Sequence, residues 1–220
     1  MTFDGLRPRR LVVVAGTATE IGKTWVAARL ARDLRATGYD VIARKPAQSF
    51  DPGDPSTDAH ALAAATGAEP TEVCPRHRWY PAAMAPPMAA EYLERPSFSI
   101  EDLVAEIDWP LPSPDVALVE SAGGVRSPLA ADGDTVTLVE LLQPDLVLLV
   151  ADAELGTINS VTLSLEALDR GSHVAKIVVV LNRFEPIDEL HRRNRDWLAD
   201  HLGVDVLVSV PSVLAAVRPR

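Results

Sequence analysis

The stretch GTATEIGKT, Gly16 to Thr24, follows the apolar run LVVVA, Leu11 to Ala15, and opens a helical pattern at Trp25. That order is strand, glycine-flanked loop, helix. The first N–H groups of a helix have no partner within it and lie at the positive end of its dipole, so such a turn is built to hold phosphate. Lys23 then reaches the β- and γ-phosphates, and the Thr24 hydroxyl is placed to ligate magnesium. The usual spacing is G-x-x-x-x-G-K-[ST], whereas five residues separate Gly16 from Gly22 here. The bland alternative is a strand-to-helix turn that merely carries Gly-Lys-Thr; the strand before it and the helix after it argue for phosphate.

Working outward, Val26, Ala27, Leu30, Ala31 and Leu34 recur at helical spacing and predict a helix over 23–37, with Gly38 where a C-terminal cap belongs. A short strand, 41–43, stops at Lys45-Pro46 because proline cannot continue the pairing. Lys45 therefore stands at a strand's C-terminal end, the edge where ligands bind in open α/β sheets. The segment 48–58 reads as a loop, and Asp58 opens an alanine-rich helix to Thr66. Two readings of Asp58 stand at this point: a helix N-cap, or a ligand for the cation that a nucleotide brings. The stretch 74–87 reads as irregular, with a helix near 88–93, and Ser99 with Asp102 marks another helix start.

Asp115 to Val119 is a buried-strand run, and Glu120-Ser121-Ala122-Gly123-Gly124 follows it, again placing an acid at a strand end. Helices are expected over 135–142, 160–170 (closed by Gly171) and 187–201, and strands over 146–151, 177–181 (ending at Asn182) and 205–208, before Pro211. Strands that are apolar throughout, alternating with helices, predict a doubly wound α/β fold with a mostly parallel sheet covered on both faces.

At 220 residues and 47% hydrophobic, the chain suffices for one core, and we expect a single domain over 1–220 with a loose stretch at 1–10. A formal charge of −10, without a basic stripe, argues against nucleic acid as a partner. One cysteine, Cys74, allows no internal disulfide and fits a reducing compartment, so we expect a cytoplasmic protein. The run at Leu11 is too short for an export signal or a membrane span. The five histidines, His60, His77, His173, His191 and His201, lack zinc-ligand spacing. Asn182-Arg183-Phe184-Glu185 is similar to the Asn-Lys-x-Asp guanine reader, with Glu in the last position.

Taken together, these motifs resemble those of dethiobiotin synthetases, nearly end to end. GTATEIGKT resembles the family's G-T-x-T-x-V-G-K-T, with the same lengthened loop. KPAQS, Lys45 to Ser49, resembles K-P-V-x-S/T-G, with Phe50 in place of the glycine. Glu120 to Gly124 resembles E-G-A-G-G, with Ser121 for a glycine, and Pro128-Leu129 follows as in the family. LGTIN, Leu155 to Asn159, and Val210-Pro211 also look like family signatures, whereas Pro86-Pro87-Met88 stands where many members have Ser-Pro-His. A serine at 121 is expected to narrow the substrate crevice, since glycine lets the backbone approach a ligand.

The resemblance implies an ATP-dependent enzyme with the P-loop fold that converts 7,8-diaminononanoate, CO2 and ATP into a cyclic urea. It implies Lys45 and Lys23 as catalytic residues; magnesium held by Thr24, Asp58 and Glu120; and diamine placed by Thr19 and Ser49. Nucleotide contacts are implied for Glu20, Ile21, Gly22, Lys23, Thr24, Trp25, Asp58, Glu120, Ser121, Ala122, Gly123, Asn182, Arg183 and Pro211, with Asn182 and Pro211 beside the adenine. A homodimer with the substrate site near the interface is implied as well. Three rivals are weighed against this. A partitioning-type ATPase would carry its signature lysine at position 18, where Ala18 stands; a cobyrinate-type amidotransferase needs a glutaminase domain; a divergent paralogue would bind ATP without this substrate.

Overall fold

The computed structural model describes residues 7–171 and 176–219, so residues 1–6 of the expected loose stretch and His173 lie outside it. Six parallel strands form the central sheet: β1 (Arg10–Gly16), β2 (Val41–Arg44), β5 (Val116–Glu120), β6 (Leu146–Ala151), β7 (Ile177–Leu181) and β8 (Asp205–Leu207), in the order β2-β5-β1-β6-β7-β8. Successive side chains of a strand point to opposite faces. In β1, Leu11, Val13 and Ala15 therefore enter one apolar cluster, and Val12 and Val14 enter the other. Both faces are buried, which is why the strands read as continuous apolar runs instead of alternating ones.

The second face packs on α1 (Lys23–Ala36) and α2 (Asp58–Thr66), through Leu30, Leu34 and Leu62, and on α9 (Val210–Val217) through Val213 and Val217. The first face carries α5 (Ile100–Ala105), α6 (Thr135–Leu142), α7 (Thr157–Gly171) and α8 (Glu189–Leu202), represented in the cluster by Leu103, Leu138, Val161 and Leu198. Truncating a buried leucine such as Leu34 to alanine would cost about 2–5 kcal/mol. The parallel register sets β1 against β5 with Val14 opposite Glu120, so the phosphate loop and Glu120 leave the sheet at the same edge.

Several elements differ from the sequence expectation. Residues 48–58 do not start as loop: Gln48–Ser49 (β3) pairs in parallel with Trp79–Tyr80 (β4), inside the stretch expected to be irregular. Proline there starts helices as well as breaking them: α3 (Pro70–Val73) and α4 (Pro86–Tyr92) both carry Pro in the first turn, where the missing N–H costs nothing. Pro211 likewise sits in the first turn of α9, a helix the pattern did not predict, capped by the Ser209 side chain on the Ser212 N–H. α7 begins at Thr157, three residues before the expected start, and is described as far as Gly171. Near the N-terminus Arg9 is anchored, its guanidinium 2.8 Å from Asp115 and its N–H on the Pro114 carbonyl, and Arg10 already belongs to β1.

Candidate functional site

The N-terminus of α1 is left open. Its N-cap is Gly22, at φ 91°, with no side-chain capping bond and no acidic residue in the first turn. An uncapped, dipole-positive helix end with a glycine-lined approach is the physical requirement for anion binding. A Cβ at Gly22 would lie 2.1 Å from Asn182 Nδ2 at a positive φ, so that position demands glycine, whereas one at Gly16 would meet the side chains of Ile21 and Lys23 at 2.8 Å. Lys23 folds over the loop and donates to the Ala18 carbonyl at 2.9 Å. Burial, with the positive charge of Lys45 second, lowers its pKa from 10.5 to about 8.

Beside the loop lies a compact charged cluster. Lys45 Nζ is 2.6 Å from Asp58 Oδ2, 2.7 Å from Glu120 Oε1 and 3.3 Å from the Ser121 carbonyl. The Thr24 hydroxyl is 2.8 Å from both Asp58 Oδ1 and Glu120 Oε1. Lys45 is 2% exposed and the Glu120 side chain 1%. Burial pulls the Lys45 pKa down, but the two carboxylates overcome it and hold the ammonium above its ordinary range. Asp58 is lowered, chiefly by the charge of Lys45. Burial raises Glu120, and Lys45 draws it back.

Of the two readings of Asp58, the N-cap is corrected. Thr57 is the cap, in a reciprocal capping box with His60, and Asp58 is the first helical residue with its carboxylate turned to Thr24 and Lys45. Gln48 completes that helix start by accepting the Ala59 N–H at 3.0 Å while 1% exposed. Gln48 is thus a site residue that the sequence reading passed over; its only signal was a polar side chain between the expected catalytic lysine and the helix carrying Asp58.

A divalent cation fits these donors. Thr24 has one proton for two carboxylate oxygens, and Glu120 Oε2 is buried without any partner among the described residues. Magnesium is a hard ion that accepts one or two carboxylates and a hydroxyl and takes the rest of its shell from water and phosphate. Among the described residues no three His, Cys, Asp or Glu side chains gather around one point. Cys74 is buried, and burial pushes its thiol up to about 12, which removes it as a nucleophile.

The structure distributes the remaining expected residues as follows. Asn182 donates to the Ile21 carbonyl at 2.9 Å and Arg183 to the Glu20 carbonyl at 3.1 Å, so both meet the phosphate loop. Thr19 and Glu20 are exposed on the loop, Trp25 is 53% exposed on α1, and Pro211 is exposed at the start of α9. Ser49 donates its proton to the Met84 carbonyl. Ser121 is fully buried. Ala122 and Gly123 follow in the turn, where Gly123 takes φ 68° and Gly124 accepts no Cβ because Thr17 O would lie 2.9 Å from it. The departure at Phe50 has a packing reason: its ring meets Trp79 edge-on at 6.1 Å, and its N–H extends the β3–β4 pair to the Tyr80 carbonyl.

A cavity of about 350 Å³ beside β2 is lined by Arg44, Lys45, Thr71, Glu72 and Asp108 among others, so of the charged cluster it meets Lys45.

Known proteins resemble this chain in fold and in sequence. A family described as an AAA domain matches residues 10–220. Solved structures of a plasmid partition protein from Borrelia burgdorferi (TM-score 0.58, 12% identity, 96% of this chain and 97% of that one) and of a putative plasmid partition protein from the same organism bound to AMPPNP (0.55, 13%, 92% and 87%) share the fold. Curated relatives are closer in sequence. ATP-dependent dethiobiotin synthetases BioD from Caulobacter vibrioides (42% identity, 76% of this chain and 77% of the relative), Anaeromyxobacter dehalogenans (39%, 82% and 79%) and Mycobacteroides abscessus (34%, 95% and 90%) align over most of both lengths. With identity at that level over most of both lengths, the chain belongs to the dethiobiotin synthetase family.

Proposed function

We propose that Lys23 and Lys45 divide the chemistry of this site between them, one serving the nucleotide and the other the substrate side of the γ-phosphate. The chain is an ATP-dependent dethiobiotin synthetase, a ligase of biotin biosynthesis. One amine of 7,8-diaminononanoate takes up CO2 as a carbamate, and a carbamate oxygen attacks the γ-phosphorus of ATP as ADP leaves. The second amine then attacks the carbonyl carbon of the resulting mixed anhydride, phosphate leaves, and the cyclic urea closes. Such a reaction is governed by positioning and charge neutralisation. The observation that carries our assignment is Lys45, a fully buried cation held between Asp58 and Glu120 at the mouth of the phosphate loop.

Lys23 leaves the Ala18 carbonyl for phosphate oxygens, and phosphate would offset the burial that lowers its pKa. Thr24, Asp58 and Glu120 would hold a magnesium ion, which would screen the charge of the β- and γ-phosphates. Ser49, whose proton is committed to Met84, offers lone pairs to an amine N–H, and Thr19 stands on the loop near the reacting group. The turn at Ser121, Ala122 and Gly123 and the loop residues Glu20 to Trp25 line the nucleotide, with Pro211 and the Asn182 end of β7 on the base side. We read the protein as a cytoplasmic homodimer; the lone buried cysteine and the exposed Leu155 and Leu163 support this, and no helix among the described residues is long and apolar enough to cross a membrane.

The test is turnover with purified protein. Phosphate release from ATP should require both 7,8-diaminononanoate and bicarbonate and should yield a cyclic urea by mass spectrometry. Hydrolysis at one rate with and without the diamine would replace this reading by that of a divergent paralogue.

A further inference from the structure

The end of β7 meets the phosphate loop in an unusual way. Asn182, 9% exposed, directs Nδ2 to the Ile21 carbonyl at 2.9 Å, and Arg183 directs a guanidinium nitrogen to the Glu20 carbonyl at 3.1 Å. Two of the four non-glycine residues with positive φ among those described are the ends of that second bond, Glu20 at 58° and Arg183 at 57°. Left-handed backbone at non-glycine residues persists only where the surroundings impose it. Gly22 adds a third sign: at φ 91° it presses so close to Asn182 that a Cβ would stand 2.1 Å from Nδ2.

A trans peptide points its N–H opposite to its C=O. Anchoring the Glu20 and Ile21 carbonyls outward on Arg183 and Asn182 therefore turns the N–H groups of Ile21 and Gly22 inward, to the concave side where Lys23 lies. Free loop peptides would otherwise sample both orientations, and the binding of phosphate would have to order them. We infer that Asn182 and Arg183 are positioning residues that preset the phosphate loop for triphosphate, independently of which base the nucleotide carries. This rests on the phosphate loop being the ATP site, and it gives Asn182 a duty distinct from contact with adenine.

The experiment compares magnesium ATP with magnesium tripolyphosphate, which has no base, by direct binding to the full chain. Asn182→Ala and Arg183→Ala should each weaken both ligands by the same factor, about tenfold for a lost buried or charge-assisted hydrogen bond. Arg183→Lys should restore binding, because the ammonium can still donate to the Glu20 carbonyl. Melting temperatures without ligand should be unchanged for the exposed Arg183 variants, which keep the question open to test if Asn182→Ala folds poorly. A loss confined to ATP would assign these residues to the base and overturn the inference, as would unchanged affinity for both ligands. Wild-type protein that binds ATP but not tripolyphosphate would also overturn it, by placing the affinity in the nucleoside. Wild-type protein that binds neither would instead remove the phosphate-loop assignment beneath it.

Discussion

Replacing Lys45 by methionine keeps most of the side-chain volume and removes the charge that holds two carboxylates together. Glu120 then remains buried, with Oε2 unpartnered and only the Thr24 hydroxyl on Oε1. Breaking a buried ion pair costs about 3–5 kcal/mol. The Asp58 side chain is 40% exposed, so its share is screened by water and is discounted. Glu120 can escape by taking up a proton, which at pH 7 costs about 3 kcal/mol for a carboxyl of ordinary pKa near 4.5. That sets a ceiling of about 3 kcal/mol, or a melting temperature lowered by about 6–12 °C for a chain of this size. The sign follows from linkage: without Lys45 the folded-state pKa of Glu120 rises further above its unfolded value, so the deficit is small below pH 4.5 and grows as pH rises toward neutrality. At pH 5.5 it should shrink to about 1.4 kcal/mol. Melting curves of wild type and Lys45→Met at the two pH values, with and without magnesium, measure this, and magnesium should recover part of the loss by restoring positive charge. Diamine-dependent phosphate release should fall by about a thousandfold, equivalent to 4 kcal/mol of transition-state stabilisation, while ATP still binds. A deficit that does not change with pH, or a mutant with wild-type turnover, would refute the reasoning.

Lys23→Met should do the opposite to stability while abolishing ATP binding. A depression from 10.5 to about 8 corresponds to about 3 kcal/mol at pH 7, and loss of the bond to Ala18 offsets about 1 kcal/mol, leaving the nucleotide-free mutant more stable by about 2 kcal/mol. Because the folded-state pKa is lowered, that gain is full below pH 8 and fades toward pH 10.5, which melting curves across this range would show. Asp58→Asn should raise the magnesium concentration needed for half-maximal turnover by tenfold or more, about 1.4 kcal/mol, with little change in melting temperature; an unchanged magnesium titration would take Asp58 out of the metal set. Gly22→Ala should weaken ATP by about a hundredfold or more, since the added methyl meets both a positive φ and the Asn182 amide, and binding within threefold of wild type by calorimetry would contradict the packing described.

The sheet and most of its helices were legible because the strands are apolar on both faces and the helices carry a regular buried stripe; β6, α6 and β7 lie where the pattern puts them. Three of the misses are helix starts that carry proline. Pro70, Pro86 and Pro211 each occupy a first helical turn, and a four-residue window around a proline does not distinguish that place from a loop. The parallel pair of Gln48–Ser49 with Trp79–Tyr80 could not be seen either, because a two-residue strand has no period and its partner is set by tertiary contacts.

At the site, residue types and strand ends located Lys23, Thr24, Lys45 and Glu120, since charge at the C-terminal edge of a parallel sheet has few structural uses. Asp58 was ambiguous for a physical reason: an Asp at a helix start serves equally as a cap or as an outward carboxylate, and the neighbour decides. Here Thr57 takes the cap, supported by His60, and Gln48 takes the next N–H, which frees the Asp58 carboxylate to face Lys45 and Thr24. The five-residue segment KPAQS thus carries the cation and also fixes, through Gln48, the helix that supplies one of its anions. A loss of the Gln48 amide should therefore act on the Lys45–Asp58 pair without touching substrate. Gln48→Ala would then raise the magnesium requirement in the same direction as Asp58→Asn but by a smaller factor, and combining the two should add little, as expected when both changes act on one contact.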